Sequence, residues 1–170
     1  MVKVRSLTPE DWREFKEIRI QAVTAHTGSY LADPSQTRQE PDSQWQETLD
    51  GQGKQVFGLF DDKQLVGIAG LFTWREDPSG QTGIMAMDYI APEYRGRGLS
   101  DLLYSARIEF AKNHTAWKKL AISHRQGNEP SRRAMVGQGF EYKGKKLITW
   151  PDGTEDWEWN YEMDLEKLRG

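Results

Sequence analysis

The sequence predicts a single α/β domain spanning residues 1–170. Three features predict it. An apolar, strand-like run from Gly83 to Ile90 passes through a turn rich in glycine and arginine into a helical stripe. A second apolar strand, ending at Ser123, follows that helix, and such a β-α-β unit requires a parallel pair with a right-handed crossover. Near the end, Trp157, Trp159, Tyr161, Met163 and Leu165 alternate with polar residues, the pattern of a half-buried strand.

Val2, Val4 and Leu7 alternate loosely and form a short first strand. Thr8-Pro9-Glu10-Asp11 then opens a helix: Thr8 caps it, Pro9 suits the first helical position, and Asp11 closes a capping box. Trp12, Phe15, Ile18, Arg19 and Ala22 make its stripe to about Ala25, with Arg19 the one polar interruption, its stem able to pack along the edge. His26 to Glu40 is polar and turn-rich and reads as a surface loop, pinned by the apolar island Ser29-Tyr30-Leu31. A second helix begins at Pro41-Asp42-Ser43, carries Trp45 and Leu49, and ends near Gly51-Gln52-Gly53.

Val56 to Phe60 and Leu65 to Phe72 are the strands of a hairpin that turns at Asp61-Asp62-Lys63-Gln64. Asp77-Pro78-Ser79-Gly80-Gln81 is the next turn, before the central strand from Ile84 to Ile90. Leu99, Leu102, Leu103, Ala106 and Phe110 then share one face of a helix from about Gly98 to Lys112. Asn113-His114-Thr115-Ala116 connects to the strand from Trp117 to Ser123, and His124-Arg125-Gln126-Gly127 is the loop beyond it. Asn128-Glu129-Pro130-Ser131 starts a short helix that ends near Gly137 or Gln138. Gly139-Phe140-Glu141-Tyr142 opens a strand that Leu147 to Trp150 extends after a lysine-rich interruption. Pro151-Asp152-Gly153-Thr154 turns the chain into the last strand.

Bulk properties exclude several classes. A formal net charge of −3 argues against a nucleic-acid partner. With no cysteine, disulfides, thiol catalysis and cysteine metal sites are out. Three scattered histidines predict no metal site, and His26 and His114 read as structural or solvent-facing. No apolar run reaches membrane-spanning length and none opens the chain, so a cytoplasmic protein with no membrane partner is expected.

The chemistry points to Ile90-Ala91-Pro92-Glu93-Tyr94-Arg95-Gly96-Arg97-Gly98-Leu99-Ser100, where strand hands over to helix. A helix's first turn carries unpaired N–H groups and the positive end of the peptide dipoles. Gly96 and Gly98 let the chain bend sharply and an anion come close, so the segment makes a phosphate-sized anion site. The plain alternative is a tight turn with exposed arginines. The segment matches neither G-x-G-x-x-G nor G-x-x-x-x-G-K-[ST].

It does resemble the acyl-CoA-binding motif of the GNAT superfamily of N-acetyltransferases, Q/R-x-x-G-x-G/A, with Arg95, Gly98 and Ser100 on the fixed positions. Ser100 departs from the usual Gly or Ala. A second match is Asn128 followed eleven residues later by Gly139-Phe140, written in that family N-x-x-A-x-x-x-Y-x-x-x-G-F. Here Ser131 replaces the alanine and Met135 the tyrosine, and methionine donates no proton. The resemblance implies a mixed, strongly twisted sheet with helices on both faces, and acetyl-CoA as acyl donor. It implies that backbone N–H groups from Arg95 through Gly96, Arg97, Gly98, Leu99 and Ser100 hold the pyrophosphate. Tyr89 and Ile90 would bind the pantetheine arm through backbone bonds. Asn128 would cap its helix and bond the pantetheine.

The implied reaction is acetyl transfer to an amine. Asp88, a carboxylate in an apolar strand, is the first candidate base; the alternative is an edge position or a pair with an arginine. Glu76 and Asp77 are weaker candidates. His124 is a candidate proton carrier, or an exposed loop histidine. Ser123 is a candidate partner for the leaving sulfur. Tyr30 and Asp88 are candidate acceptor contacts, with Trp150, Trp157 and Trp159 either an aromatic wall for the acceptor or simply core filling. Arg97, Arg132 and Arg133 are candidates for steering phosphates, or a solvated charge run. A small-molecule amine is the expected partner, and a homodimer stays open. The competing readings are a protein or peptide acetyltransferase and a CoA-binding regulatory module. A peptide needs an open channel between the Tyr30 loop and the final hairpin; a small amine needs that gap closed.

Overall fold

The computed structural model describes every residue except Thr27 and Thr115, so one residue each of the predicted polar loop and of the 113–116 connector lies outside the described residues. Strands β1 (Val2–Ser6), β2 (Lys54–Asp61), β3 (Gln64–Thr73), β4 (Thr82–Ile90), β5 (Lys119–Arg125), β6 (Glu141–Thr149) and β7 (Glu155–Asp164) form one seven-stranded sheet, ordered β1-β2-β3-β4-β5-β7-β6. The pair β4 with β5 is parallel; the other neighbours are antiparallel. This is the mixed α/β architecture the sequence predicts.

Helices cover both faces. On one, α1 (Trp12–Ala25) and α3 (Asp42–Thr48) bury Phe15, Ile18, Ala22 and Trp45 against Leu7, Val56, Ile68 and Tyr89. On the other, Leu103 of α4 (Leu99–Asn113) packs on Phe57, Leu59 and Ala69. Met135 of α5 (Glu129–Gly137) joins Tyr104, Ile122, Phe140 and Tyr161. Thr8 and Asp11 form the expected capping box, around a single 3₁₀ turn.

Two helices escape the sequence reading. Pro34–Gln39, inside the polar segment, folds as α2, because the Asp33 carboxylate accepts from the Ser35 amide and Pro34 sets the first turn. Leu165–Arg169 is α6, not strand: Asp164 caps it, and Arg169 donates to the carbonyls of Ala111, Lys112, His114 and Trp117. The lysine-rich interruption is also absent. β6 runs continuously, with a register shift between Tyr142 and Gly144 that absorbs the irregular pattern. No helix among the described residues is long and apolar enough to cross a membrane.

Arg107 ties α4 to the sheet. It is fully buried and donates to both carboxylate oxygens of Asp88 at 2.7 and 2.6 Å, and to the carbonyls of Gly70 and Leu103. Asp88 keeps 39 % of its side chain exposed. Removing the two partners therefore has unequal consequences. Asp88→Ala strands a buried cation and is expected to cost roughly 3 kcal/mol of unfolding free energy. Arg107→Met frees a carboxylate that can turn to water and is expected to cost less. Urea unfolding of the two variants checks the order.

Candidate active site

β4 and β5 pair only over Thr82–Ile84 and Lys119–Ala121, although β4 continues to Ile90 and β5 to Arg125. Beyond that point the two strands part and leave a cleft in the middle of the sheet. Two β4 carbonyls in the unpaired stretch are met by side chains instead. The Tyr30 hydroxyl donates to the Asp88 carbonyl at 2.5 Å, and Arg95 Nε donates to the Ile90 carbonyl at 2.8 Å. A bulge sits in the same place. Ile68 pairs with Tyr89 but Gly70 with Ala86, so Met87 and Asp88 oppose the single residue Ala69. Met87 takes φ 65°, a left-handed conformation rare for a side chain of its size.

Asp88 therefore takes the alternative weighed in the sequence: it pairs with an arginine. Both oxygens accept from Arg107, and 39 % of the side chain stays exposed. His124 is corrected more fully. It is buried, its Nδ1 lies 2.8 Å from the Arg125 carbonyl and its Nε2 2.9 Å from the Tyr161 hydroxyl, and its ring stacks on Trp159. It belongs to β5 and not to a loop, and its contacts are structural. Trp150 is buried too, with its indole N–H on the Asp156 carbonyl and the Arg125 guanidinium over its ring. It supports the last hairpin from within, the core-filling alternative. Trp157 and Trp159 lie under the Lys145 ammonium. Asp77 bonds Thr82 and Ser79 within its turn, and Glu76 lies 3.9 Å from Lys146.

The glycine turn is built as expected. Gly96 and Gly98 take φ 75° and 72°, and Gly98 is the N-cap of α4. Among the described residues the amides of Gly96, Arg97, Gly98, Leu99 and Ser100 donate no hydrogen bond. A Cβ placed on either glycine meets nothing within 4 Å, so the turn is open at both glycines. Arg95 folds back toward the cleft, with Nη2 3.1 Å from His26 Nε2. Arg97 donates to the Glu93 carbonyl and covers Tyr94. Asn128 caps α5 by accepting from the Ser131 amide. Tyr89 is buried on the α1 side, its hydroxyl accepting from Gln21.

Three functional candidates, Arg107, Glu158 and Arg125, escape the sequence reading, and Arg19 enters it only as a polar interruption of the α1 stripe. Arg107 breaks the apolar face of α4 and Arg19 that of α1, so a charged residue inside an apolar stripe was the available signal for both. Glu158, buried and accepting from the Ser123 hydroxyl, gave no signal, since it falls on the polar phase of an alternating strand. Arg125, in what read as a loop, is a polar hub. It donates to Asp156, Asp152, Thr154 and the Gly28 carbonyl, joining the segment after α1 to the β6–β7 turn. Burial pushes the Tyr30 hydroxyl well above its ordinary pKa and holds it neutral. Among the described residues no group of three or more His, Asp or Glu could hold a metal ion.

Comparison with known proteins gives a consistent result. Residues 2–141 match the family described as Acetyltransferase (GNAT) domain. No curated protein matches the chain at a significant level. Among solved structures, yncA of Salmonella typhimurium, determined with its cofactor acetyl-CoA, superimposes with a TM-score of 0.81 at 20% identity, over 97% of this chain and 94% of that one. A ribosomal-protein-alanine N-acetyltransferase from Brucella melitensis gives 0.78 at 22% identity, over 95% and 99%. An acetyltransferase of the GNAT family from Streptococcus pneumoniae gives 0.78 at 15%, over 96% and 99%. At these identities the likeness shows a shared fold.

The Arg125 hub has a pH signature. The hydroxyl and amide of Thr154, followed by Arg125, hold the Asp152 carboxyl down to about 2. A carboxyl depressed in the folded state stabilises fully above its unfolded pKa, about 4, and loses that contribution as pH falls through its folded value. The melting-temperature gap between the wild type and Asp152→Asn is expected to hold steady above pH about 4 and to close toward about 2. A gap unchanged down to that pH contradicts the assignment.

Proposed function

Because the chain belongs to the GNAT acetyltransferase family, we propose that it transfers an acetyl group from acetyl-CoA to the primary amine of a small molecule. The observation that carries the donor half is the run of undonated amides from Gly96 to Ser100, in a turn open at both glycines at the start of α4 beside the parted strands. Consecutive N–H groups at the positive end of a 15-residue helix suit a diphosphate. Arg95, Gly96, Arg97, Gly98, Leu99 and Ser100 would hold it. The unpaired edge of β4 at Tyr89 and Ile90, with Asn128 across the cleft, would hold the pantetheine arm. Acetyl-CoA supplies the acyl group already activated as a thioester. What the protein adds is placement: an arm held along a strand edge and an amine brought to its end from the opposite face.

Asp88 has a role in this reading that differs from base catalysis. Clamped by Arg107, it holds the bulge at Met87, and is a positioning residue. Glu158 with Ser123 is the better candidate for drawing a proton from the amine through water, being a buried carboxylate whose ion pairing among the described residues is with the Lys146 ammonium at 3.9 Å. Met135 lies in the core beside Tyr104 and Phe140 and gives no proton. That favours a second reading, a donor-binding module with little turnover.

The acceptor half is supported by closure. Arg125 bridges the Gly28 carbonyl at 3.1 Å and Asp152 at 2.7 Å, so the Tyr30 segment and the last hairpin meet. A peptide would have to break that contact; a small amine would not. Release of free thiol from acetyl-CoA, followed across small primary amines and peptides, tests this: turnover with a small amine is expected, and turnover with peptides alone overturns it. Gly98→Val adds a side chain at positive φ in the open turn. It is expected to weaken CoA binding at least about tenfold by calorimetry. Unchanged affinity would remove the donor assignment.

A further inference from the structure

We propose, resting on the acetyl-transfer reading above, that Arg19 binds a carboxylate of the acceptor, so that the substrates are amines that also carry a carboxylate: free amino acids and their longer-chain homologues.

The two buried arginines of the helices behave differently. Arg107 spends its guanidinium on Asp88, Gly70 and Leu103. Arg19 is 8% exposed, and its Nη1 is sealed from solvent with no hydrogen-bond partner among the described residues. Burying a cation without a counter-ion is costly, and an apolar residue here would continue the α1 stripe at no such cost. Among the described residues no carboxylate lies within ion-pair distance of Arg19: Asp88 is committed to Arg107, and Glu40, whose charge acts on Arg19 from farther off, stays exposed.

The surroundings point to a planar anion entering from the acceptor side. The Arg19 guanidinium carbon lies 5.2 Å from the centre of the Tyr30 ring, and the hydroxyl of that ring bonds the Asp88 carbonyl, where β4 has already parted from β5. Arg19 is thus one tyrosine ring from the cleft. An aromatic neighbour offers the cation its face but accepts none of the in-plane N–H bonds, so the Nη1 donor stays unmet. A guanidinium edge matches a carboxylate with two parallel hydrogen bonds, which a point-charge lysine does not. A carboxylate at Arg19 would put the amine of the same molecule on the cleft side of Tyr30.

Steady-state kinetics with acetyl-CoA tests this, using amino acids of increasing chain length and the matching carboxamides, which keep size and amine but lose the charge. For the best chain length, kcat/KM is expected to favour the acid at least about tenfold, mainly through KM. Arg19→Gln is expected to erase the preference and Arg19→Lys to keep part of it. Equal use of acid and amide by the wild type, or a preference that survives Arg19→Gln, overturns the proposal. If Arg19→Gln does not fold, calorimetry on the wild type decides with the products alone: an N-acetyl amino acid must bind at least about tenfold tighter than its amide, and equal binding overturns the proposal. Failure of the parent reading looks different, as absence of CoA binding and of thiol release with every amine, whichever product binds.

Discussion

The paired hydrogen bond between Arg107 and Asp88 is the constraint on which the site depends. Three elements meet in it, because the same guanidinium also takes carbonyls from β3 and from α4 itself. It fixes a carboxylate on the α4 side of the sheet while the neighbouring Met87 packs on the α1 side. Those opposite demands on adjacent residues are met by the extra residue of the bulge and by a positive φ at Met87. A left-handed methionine in a strand costs on the order of 1–3 kcal/mol and persists only if its surroundings enforce it. The ion pair enforces it from one face and the Tyr30 hydroxyl, on the Asp88 carbonyl, from the other. The cleft lies beside this distortion: β4 turns out of register with β3 where it also leaves β5.

In the proposed reading, donor recognition at that cleft is a main-chain affair. Amides at a helix start and a strand edge released from its ladder are features of backbone path. That is why the turn is legible in the sequence. Glycines at Gly96 and Gly98 are demanded by positive φ, and glycine marks its own requirement in the sequence.

What stayed hidden depended on contacts between distant residues. Asp88 was visible as an anomaly, a carboxylate in an apolar strand, but its partner stands 19 positions later on another element. His124 looked like a loop residue because the apolar run stops at Ser123, yet β5 continues through it, paired with Trp159. Trp150 fits either an aromatic wall or core filling in the sequence, and only the cation on its face and the carbonyl on its N–H show that it serves as a support. The polar segment hid α2 since Pro34-Ser35-Gln36-Thr37-Arg38-Gln39 has no apolar stripe, only a cap. Sequence periodicity reports burial along one element; it carries nothing about which charges find each other across the sheet.

The acceptor side has the reverse economy from the donor side. It is made of side chains drawn from far apart: Arg19 and Tyr30 from the first segment, Arg125 and Ser123 from β5, Glu158 and Asp152 from the last hairpin. Arg125 alone reaches 97 positions back to Gly28 and 31 forward to Asp156. A surface closed by such polar bridges can change its partner through one or two substitutions without disturbing the sheet, whereas the donor cleft cannot change without refolding the bulge. Under the proposal above, the chemistry of the acceptor is read from this chain's own side chains, and the buried Arg19 Nη1 without a hydrogen-bond partner among the described residues constrains it most.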